Sequence, residues 1–569
     1  MRQQLGAVLP SLLYLHHASA KVMNAGGVPY RISNPDSAAA APYSTDFEAN
    51  IAGPVEHFDM YGEVRTIYSQ TYWTRNAPIP LPEELVKRFA NGGVMAITGY
   101  EIDQVTHDNA PPPPPGDKLG GFSCYPSCDA SDRSVPTYHA YNHHYFAWLV
   151  GSGAEVYDLE RPGKYPNPSW TGVREVEANP QGVPSSIVFK ENPGGEYRKS
   201  YHGYPSGYAQ LLHEPTTWIF EPMQIDTHPR DGTQLTDQVG YKQWLLPAAS
   251  GNGSVTELYS GSSPLLECPC TDRITKHVNE TSGESYVLYT QDDRTVRVDY
   301  HHDCNDEPRG DMLRHGNGVG TNGPNAACNV TTYHGGTFCC QHTFLLTDKA
   351  QQPYLREDLV DRYYLKFRYY FQTYRPAQPP SASASHQLLH HWVFLIDAQI
   401  NDYEEAHDDE RTNPYGTPSL GRIEARLVAN QLCDAGCDGG PNGQIDGAGV
   451  QPAKDGKLHF KTITPLVITP HCHAPSCVRE ELWNDDTGEL LCNVTADYGD
   501  ARYGALSDVF NERGYLAIPP CLFGYQPGLR KPFSLGPDTK LRAVKYFNNT
   551  FRHLGQMAQW TGLAVYEWP

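Results

Sequence analysis

A chain of 569 residues exceeds what one ordinary hydrophobic core supports, so two or three domains are expected. Its formal net charge of -21 disfavours nucleic acid and anionic membrane surfaces as partners, because both are polyanions. Hydrophobic residues make up 39%, with 37 Tyr and 9 Trp, and 51 Gly and 47 Pro punctuate many short apolar runs, which suits a loop-rich, all-β protein.

Residues 1–20 read as a secretory signal. Arg2 gives the positive start, Leu5 to Leu15 a short apolar core, and Ala18-Ser19-Ala20 a small-residue cleavage site. No later window offers the roughly twenty apolar residues of a membrane span, so no transmembrane segment is expected. Export predicts oxidising conditions, and the 14 Cys are an even number suited to disulfides. Sequons at Asn252, Asn279, Asn329, Asn493 and Asn548 point the same way, to a secreted, extracellular glycoprotein.

Residues 21–45, rich in Ala, Ser and Gly, read as a flexible N-terminus. A first β-sandwich domain is expected over 46–250. Its candidate strands are Glu63 to Tyr68, Val94 to Tyr100, the aromatic run Tyr141 to Val150, and Trp218 to Thr227. Long amphipathic helices are scarce, and the best candidate is Leu81 to Ala90, with Pro82 and two acids in its first turn and a basic pair towards its end. Pro111 to Pro115 is a stiff loop. Residues 251–347 are Gly-, Asn- and Cys-rich and read as a disulfide-tied expansion or connector.

A second sandwich is expected over 348–569, opening at Tyr363 to Phe371, where alternation puts Leu365, Phe367 and Tyr369 on one face. His390 to Asp397 follows as a buried strand, and Ile463 to Ile468 is a β-branched strand. The fold class is thus two antiparallel β-sandwiches with a cysteine-rich insertion.

Two His-bearing strands carry the chemistry. His471 and His473 are spaced i, i+2, which on a strand aims both imidazoles to one face and offers a metal two nitrogen ligands. Met557 is a candidate thioether partner. His143 and His144 are adjacent and would face opposite ways on a regular strand, so joint ligation requires a bulge or a strand end. His213, Met223 and His228 are candidates for a third ligand there. Imidazole with thioether is a copper preference. Cys472 and Cys477 beside His471 leave a Cys/His zinc site open, with a disulfide the alternative in an exported chain. No G-x-S-x-G, Walker, H-E-x-x-H or EF-hand pattern is present, and no pair of carboxylates is marked for glycoside hydrolysis.

Several segments in the same order resemble the plant stress-upregulated Nod-type, nodulin-like secreted proteins. These are themselves similar to the copper type II, ascorbate-dependent monooxygenases, of the peptidylglycine α-hydroxylating kind. The segments are Asn142 to Tyr145, Gln224 to Thr227, Gly335 to Cys340, Tyr363 to Tyr369 and His471-Cys472-His473. Gly488 to Cys492, Gly514-Tyr515 before Cys521, and Arg552 to Met557 complete the series. The resemblance spans roughly 45–569 and is weakest over 229–330. It implies two jelly-roll-like sandwiches and two copper centres. His143 and His144 would hold an electron-delivering copper, with Met223 standing where the monooxygenases have a third His. His471, His473 and Met557 would hold a copper where oxygen is activated, with ascorbate as reductant and a small molecule or peptide as substrate. It also singles out Cys492 with Cys521 as a disulfide. A non-catalytic extracellular stress or cell-surface glycoprotein on the same scaffold, assembling with matrix or surface partners, is the alternative.

Overall fold

The computed structural model describes residues 33, 55–66, 70–73, 76–107, 118–119, 132–135, 140–159, 170–177, 183–191, 201–204, 208–226, 276–278, 285–291, 294–299, 344–345, 359–374, 389–395, 420–431, 460–472, 477–497, 516–525, 528–548 and 559–567. The proposed signal, the N-terminal segment 21–45 apart from Ser33, the proline loop, His228, His473, Met557, Asn252, Asn279 and Asn329 lie outside them. Of His144 and Asn548 only the backbone is described. The described chain is almost entirely antiparallel β-structure, as the composition suggested, with one short helix.

Among the described residues sheet I has seven strands, with Leu359–Tyr374 between Glu56–Thr66 and Val94–His107. Glu56–Thr66 is buried at every second residue along its length, the signature of a strand with one face on a core. Sheet II has six strands, with Ala140–Gly151 between Ser186–Glu191 and Pro215–Asp226. The two sheets close on an aromatic core. Phe58, Tyr100, Phe367 and Tyr369 from sheet I meet Tyr145, Phe189, Trp218 and Phe220 from sheet II. Trp218 and Phe367 have ring centroids 5.4 Å apart, and Tyr145 and Phe367 5.1 Å. Burial of large rings supplies the apolar driving force, and their polar tips are satisfied in place. The Trp218 indole N–H donates to the Tyr369 hydroxyl at 2.8 Å, and the Tyr145 hydroxyl donates to that of Tyr100 at 3.1 Å. Gly62 lets the sheets approach: a Cβ there would overlap the Phe220 ring.

The helix Glu83–Phe89 forms where expected. Glu83 and Glu84 lie in its first turn and Lys87 and Arg88 in its last, complementing its dipole, and Leu85 and Phe89 bury one face.

Leu359–Tyr374 corrects the expected domain boundary. Alternation does put Tyr363, Leu365, Phe367, Tyr369 and Phe371 on one core face. That core, however, belongs to the first sandwich, where the strand runs antiparallel to both Glu56–Thr66 and Val94–His107. Phe344–Leu345 likewise pairs with Gln70–Trp73 of sheet II. The outward face of Leu359–Tyr374 carries charge. Lys366 is buried and its ammonium lies 2.6 Å from the equally buried Asp132, while Arg368 forks onto Asp59 at 2.8 and 2.9 Å. Pairing is what makes such burial tolerable.

Within the cysteine-rich stretch, Lys276–Val278, Ser285–Gln291 and Arg294–Asp299 form a separate three-stranded antiparallel sheet. The C-terminal part builds two four-stranded sheets. Sheet III orders Leu389–Leu395, Gln559–Glu567, Thr462–His471 and Cys521–Leu522. Sheet IV orders Leu420–Val428, Lys540–Asn548, Cys477–Asn484 and Glu489–Thr495. Among the described residues two disulfides cross between them, Cys472–Cys477 and Cys492–Cys521. Leu466, Val467, Leu522, Leu563 and Val565 of sheet III join the same buried apolar cluster as the first sandwich's core. Sheet III therefore packs towards the first sandwich.

Candidate metal site between the sandwiches

Ala140–Gly151 and Pro215–Asp226 pair in regular register from Thr217 opposite Val150 to Met223 opposite His144. The next rung sets Gln224 opposite Asn142, so His143 is an extra residue on its strand. This is a β-bulge, the irregularity that two adjacent His need if they are to serve one site, because a bulge re-aims the side chains that flank it. The neighbouring rung is fastened by side chains. The Gln224 amide donates to Asn142 Oδ1, and the Tyr363 hydroxyl donates to Gln224 Oε1 at 3.3 Å. Two residues further, the Thr66 hydroxyl donates to Asp226 Oδ2 at 2.6 Å. The bulge is thus held by a buried polar frame rather than left to slip.

His143 is buried, with its ring edge-on to Tyr141 at 6.2 Å between centroids. Burial pushes its imidazole down to about 3, because the charged form loses its hydration. The ring is therefore neutral near pH 7, which is the form that ligates a metal. Met223 is 1% exposed, so its thioether sits in a water-poor place beside the bulge.

His471 ends the strand Thr462–His471 and is 1% exposed. After the register shift between Pro465 and Val467, the residues Val467, Thr469 and His471 share one face by the strand's period of two. Val467 on that face belongs to the core cluster shared with the first sandwich. The consequence is direct: the rings of His143 and His471 lie 5.8 Å apart, inclined at 62°. Cys472, the next residue, is bonded to Cys477 at the start of a sheet IV strand, so a backbone tie lies immediately behind His471. Bonded in this way, Cys472 and Cys477 offer no thiolate, and the Cys/His zinc site does not form from them.

The expected ligands are therefore distributed as follows. His143, Met223 and the backbone of His144 come together at the bulge, and His471 meets them through His143 rather than standing in a separate place. His473 and Met557 lie outside the described residues. His213 is not with them. It lies by Gly151, at the far end of the His143 strand, eight residues or about 25 Å away at a strand's rise. Among the described residues, no group of three or more His, Cys, Asp and Glu side chains gathers as a metal site. Cys492 and Cys521, the pair singled out by resemblance, are bonded to each other. Sequence reasoning missed the meeting of His143 and His471. No spacing rule could have found it, because it depends on how sheet III docks against sheet II.

No helix among the described residues is long and apolar enough to cross a membrane. No protein-family model matches the chain, and no curated protein matches it.

Proposed function

We propose that the protein is a secreted copper-binding oxidoreductase of the type II monooxygenase class, hydroxylating a small organic molecule or peptide with ascorbate as reductant. The observation that carries this reading is the bulge that sets His143 out of the ladder beside His144, with Met223 one rung across. The donors fit copper. A buried neutral imidazole and a buried thioether are soft, weakly hydrated ligands that suit Cu(I) and repay a hard ion poorly. Copper bound there would supply one-electron redox chemistry that side chains lack.

The chain's own contribution is positioning and exclusion. Asn142, Gln224 and Tyr363 fix the strand on either side of the bulge, and Tyr141 packs against the His143 ring. Burial keeps His143 unprotonated and keeps bulk water away. His144 would join His143 and Met223 on one copper, and His471, His473 and Met557 would hold a second, as the resemblance implies. The two disulfides agree with an oxidising, extracellular setting. The same two features, a disulfide-tied scaffold and the Asn493 sequon on an edge strand, favour as second reading a non-catalytic extracellular glycoprotein, one that assembles with matrix or surface partners.

The deciding experiment is copper content per chain of the secreted protein, together with ascorbate-dependent oxygen uptake. Copper bound by the wild type and lost in His143→Ala/His144→Ala, with oxygen uptake lost alongside, is the expected result. A folded, copper-free wild type sinks the reading. Copper without oxygen uptake over a broad set of amides, peptides and phenols leaves the non-catalytic reading.

A further inference from the structure

The two imidazoles in contact come from two sheets that, among the described residues, have no strand pairing with each other. We propose that His143 and His471 ligate one shared copper ion, so that a single metal clamps the first sandwich to the second. This rests on the copper-binding reading but departs from the two separate centres that the resemblance implies.

The spacing is the first support. A metal bound about 2.0–2.1 Å from a ring nitrogen lies roughly 3 Å from the ring centroid, so two rings on one ion stand about 5–6 Å apart. The observed 5.8 Å falls in that range, with the rings inclined to each other rather than stacked. Two ions held on the sides of the rings that face each other would lie within a few ångströms in buried surroundings, where like charges repel strongly. One ion satisfies both imidazoles without that penalty.

The second support is rigidity on both sides. His143 sits on a bulge framed by Gln224 and Asn142, and His471 precedes a disulfide that ties its strand end to sheet IV. A site whose ligands are already fixed gives up little freedom when the ion arrives. The third support is burial, since both His are nearly inaccessible to solvent and water competes poorly for the ion. An ion spanning the two sheets would also stabilise their docking, because binding free energy is lost whenever the sandwiches separate.

The test uses the full secreted chain loaded with Cu(I) under ascorbate and freed of excess metal. Copper per chain and the metal-induced rise in melting temperature are measured for the wild type, His143→Ala, His471→Ala and the double variant. The shared site predicts that each single variant loses the same one equivalent and the whole melting shift, and that the double variant loses no more. Two equivalents lost additively, one with each His, would overturn the clamp while leaving copper binding intact. A wild type that binds no copper overturns both. Because either alanine variant could misfold, the oxidised wild type, His143→Gln and His471→Gln are also examined by electron paramagnetic resonance. An isolated Cu(II) that loses an imidazole coupling in each glutamine variant supports the shared ion; a signal changed by only one of the two, or a dipolar-coupled Cu(II) pair, refutes it.

Discussion

At the scale of single residues, the most exposed liability in the energetics is a carboxyl with no solvent. Glu480 lies directly across the ladder from Lys545, and both are fully buried. Neither Glu480 oxygen has a hydrogen-bond partner. Burial pushes the Glu480 carboxyl well above the usual range, and the charge of Lys545 offsets only part of that. The folded state therefore retains a proton that the unfolded chain releases. Stability from this group is fully present below the ordinary carboxylate pKa. It then falls by about 1.4 kcal/mol per pH unit until the raised value is passed. Glu480→Gln keeps the shape and removes the titration. Its melting temperature relative to wild type is expected to rise steadily between pH 5 and pH 8. A difference that stays flat over that range would show that Glu480 is charged in the fold. Nothing in the sequence marked this residue, since Arg479-Glu480-Glu481 reads as an ordinary charged surface run. Only the register, which turns Glu481 to the opposite face where Arg479 and Trp483 donate to it, separates them.

At the scale of elements, local pattern was legible and pairing was not. The alternation at Tyr363 to Phe371, the β-branched run before His471 and the acid-first, base-last helix all form as their residues dictate. The bulge at His143 was legible only as a condition that joint ligation would impose. It is realised because Met223 and Gln224 lock their rungs on either side of the extra residue. The two staples between sheets III and IV differ in what they hold. Cys492–Cys521 closes 29 residues, and its loss as a Cys→Ser pair is expected to cost about 3.5 kcal/mol of unfolding free energy; Cys472–Cys477 closes 5 and should cost about 2. Copper affinity should rank the other way, because only Cys472–Cys477 fixes the backbone next to His471. Urea midpoints and copper titrations on the two double variants read both orders. Equal copper affinity in the two would mean that the staple has no part in aiming His471.

At the scale of the whole molecule, an N-terminal unit ending near residue 250 and a C-terminal one starting near 348 follow naturally from composition. Strand exchange across the cysteine-rich stretch undoes that division. Central strand pairing is a long-range property, and a strand rich in alternating aromatics fits either sandwich equally well until its neighbours are known. A fragment of residues 46–250 lacks the strand between Glu56–Thr66 and Val94–His107, so sheet I has no centre. It is expected to be insoluble or to melt without cooperativity, whereas residues 46–374 should give one cooperative transition. A cooperative melt of the shorter fragment, followed by near-UV circular dichroism, would show that the aromatic core closes without Leu359–Tyr374.

The same inserted strand governs how the protein is made. When Val94–His107 leaves the ribosome, its partner Leu359–Tyr374 has not been synthesised, and the wait lasts from residue 107 to residue 374. At ~5–20 residues per second that interval is on the order of tens of seconds. Throughout it, two long strands stand with open edges, a standing invitation to pair with other chains. The cysteine-rich stretch is synthesised within that same interval, ahead of the strand that closes the first sandwich. In the exported reading proposed above, the redox state of the receiving compartment acts on those cysteines before closure, which ties the yield of folded protein to it.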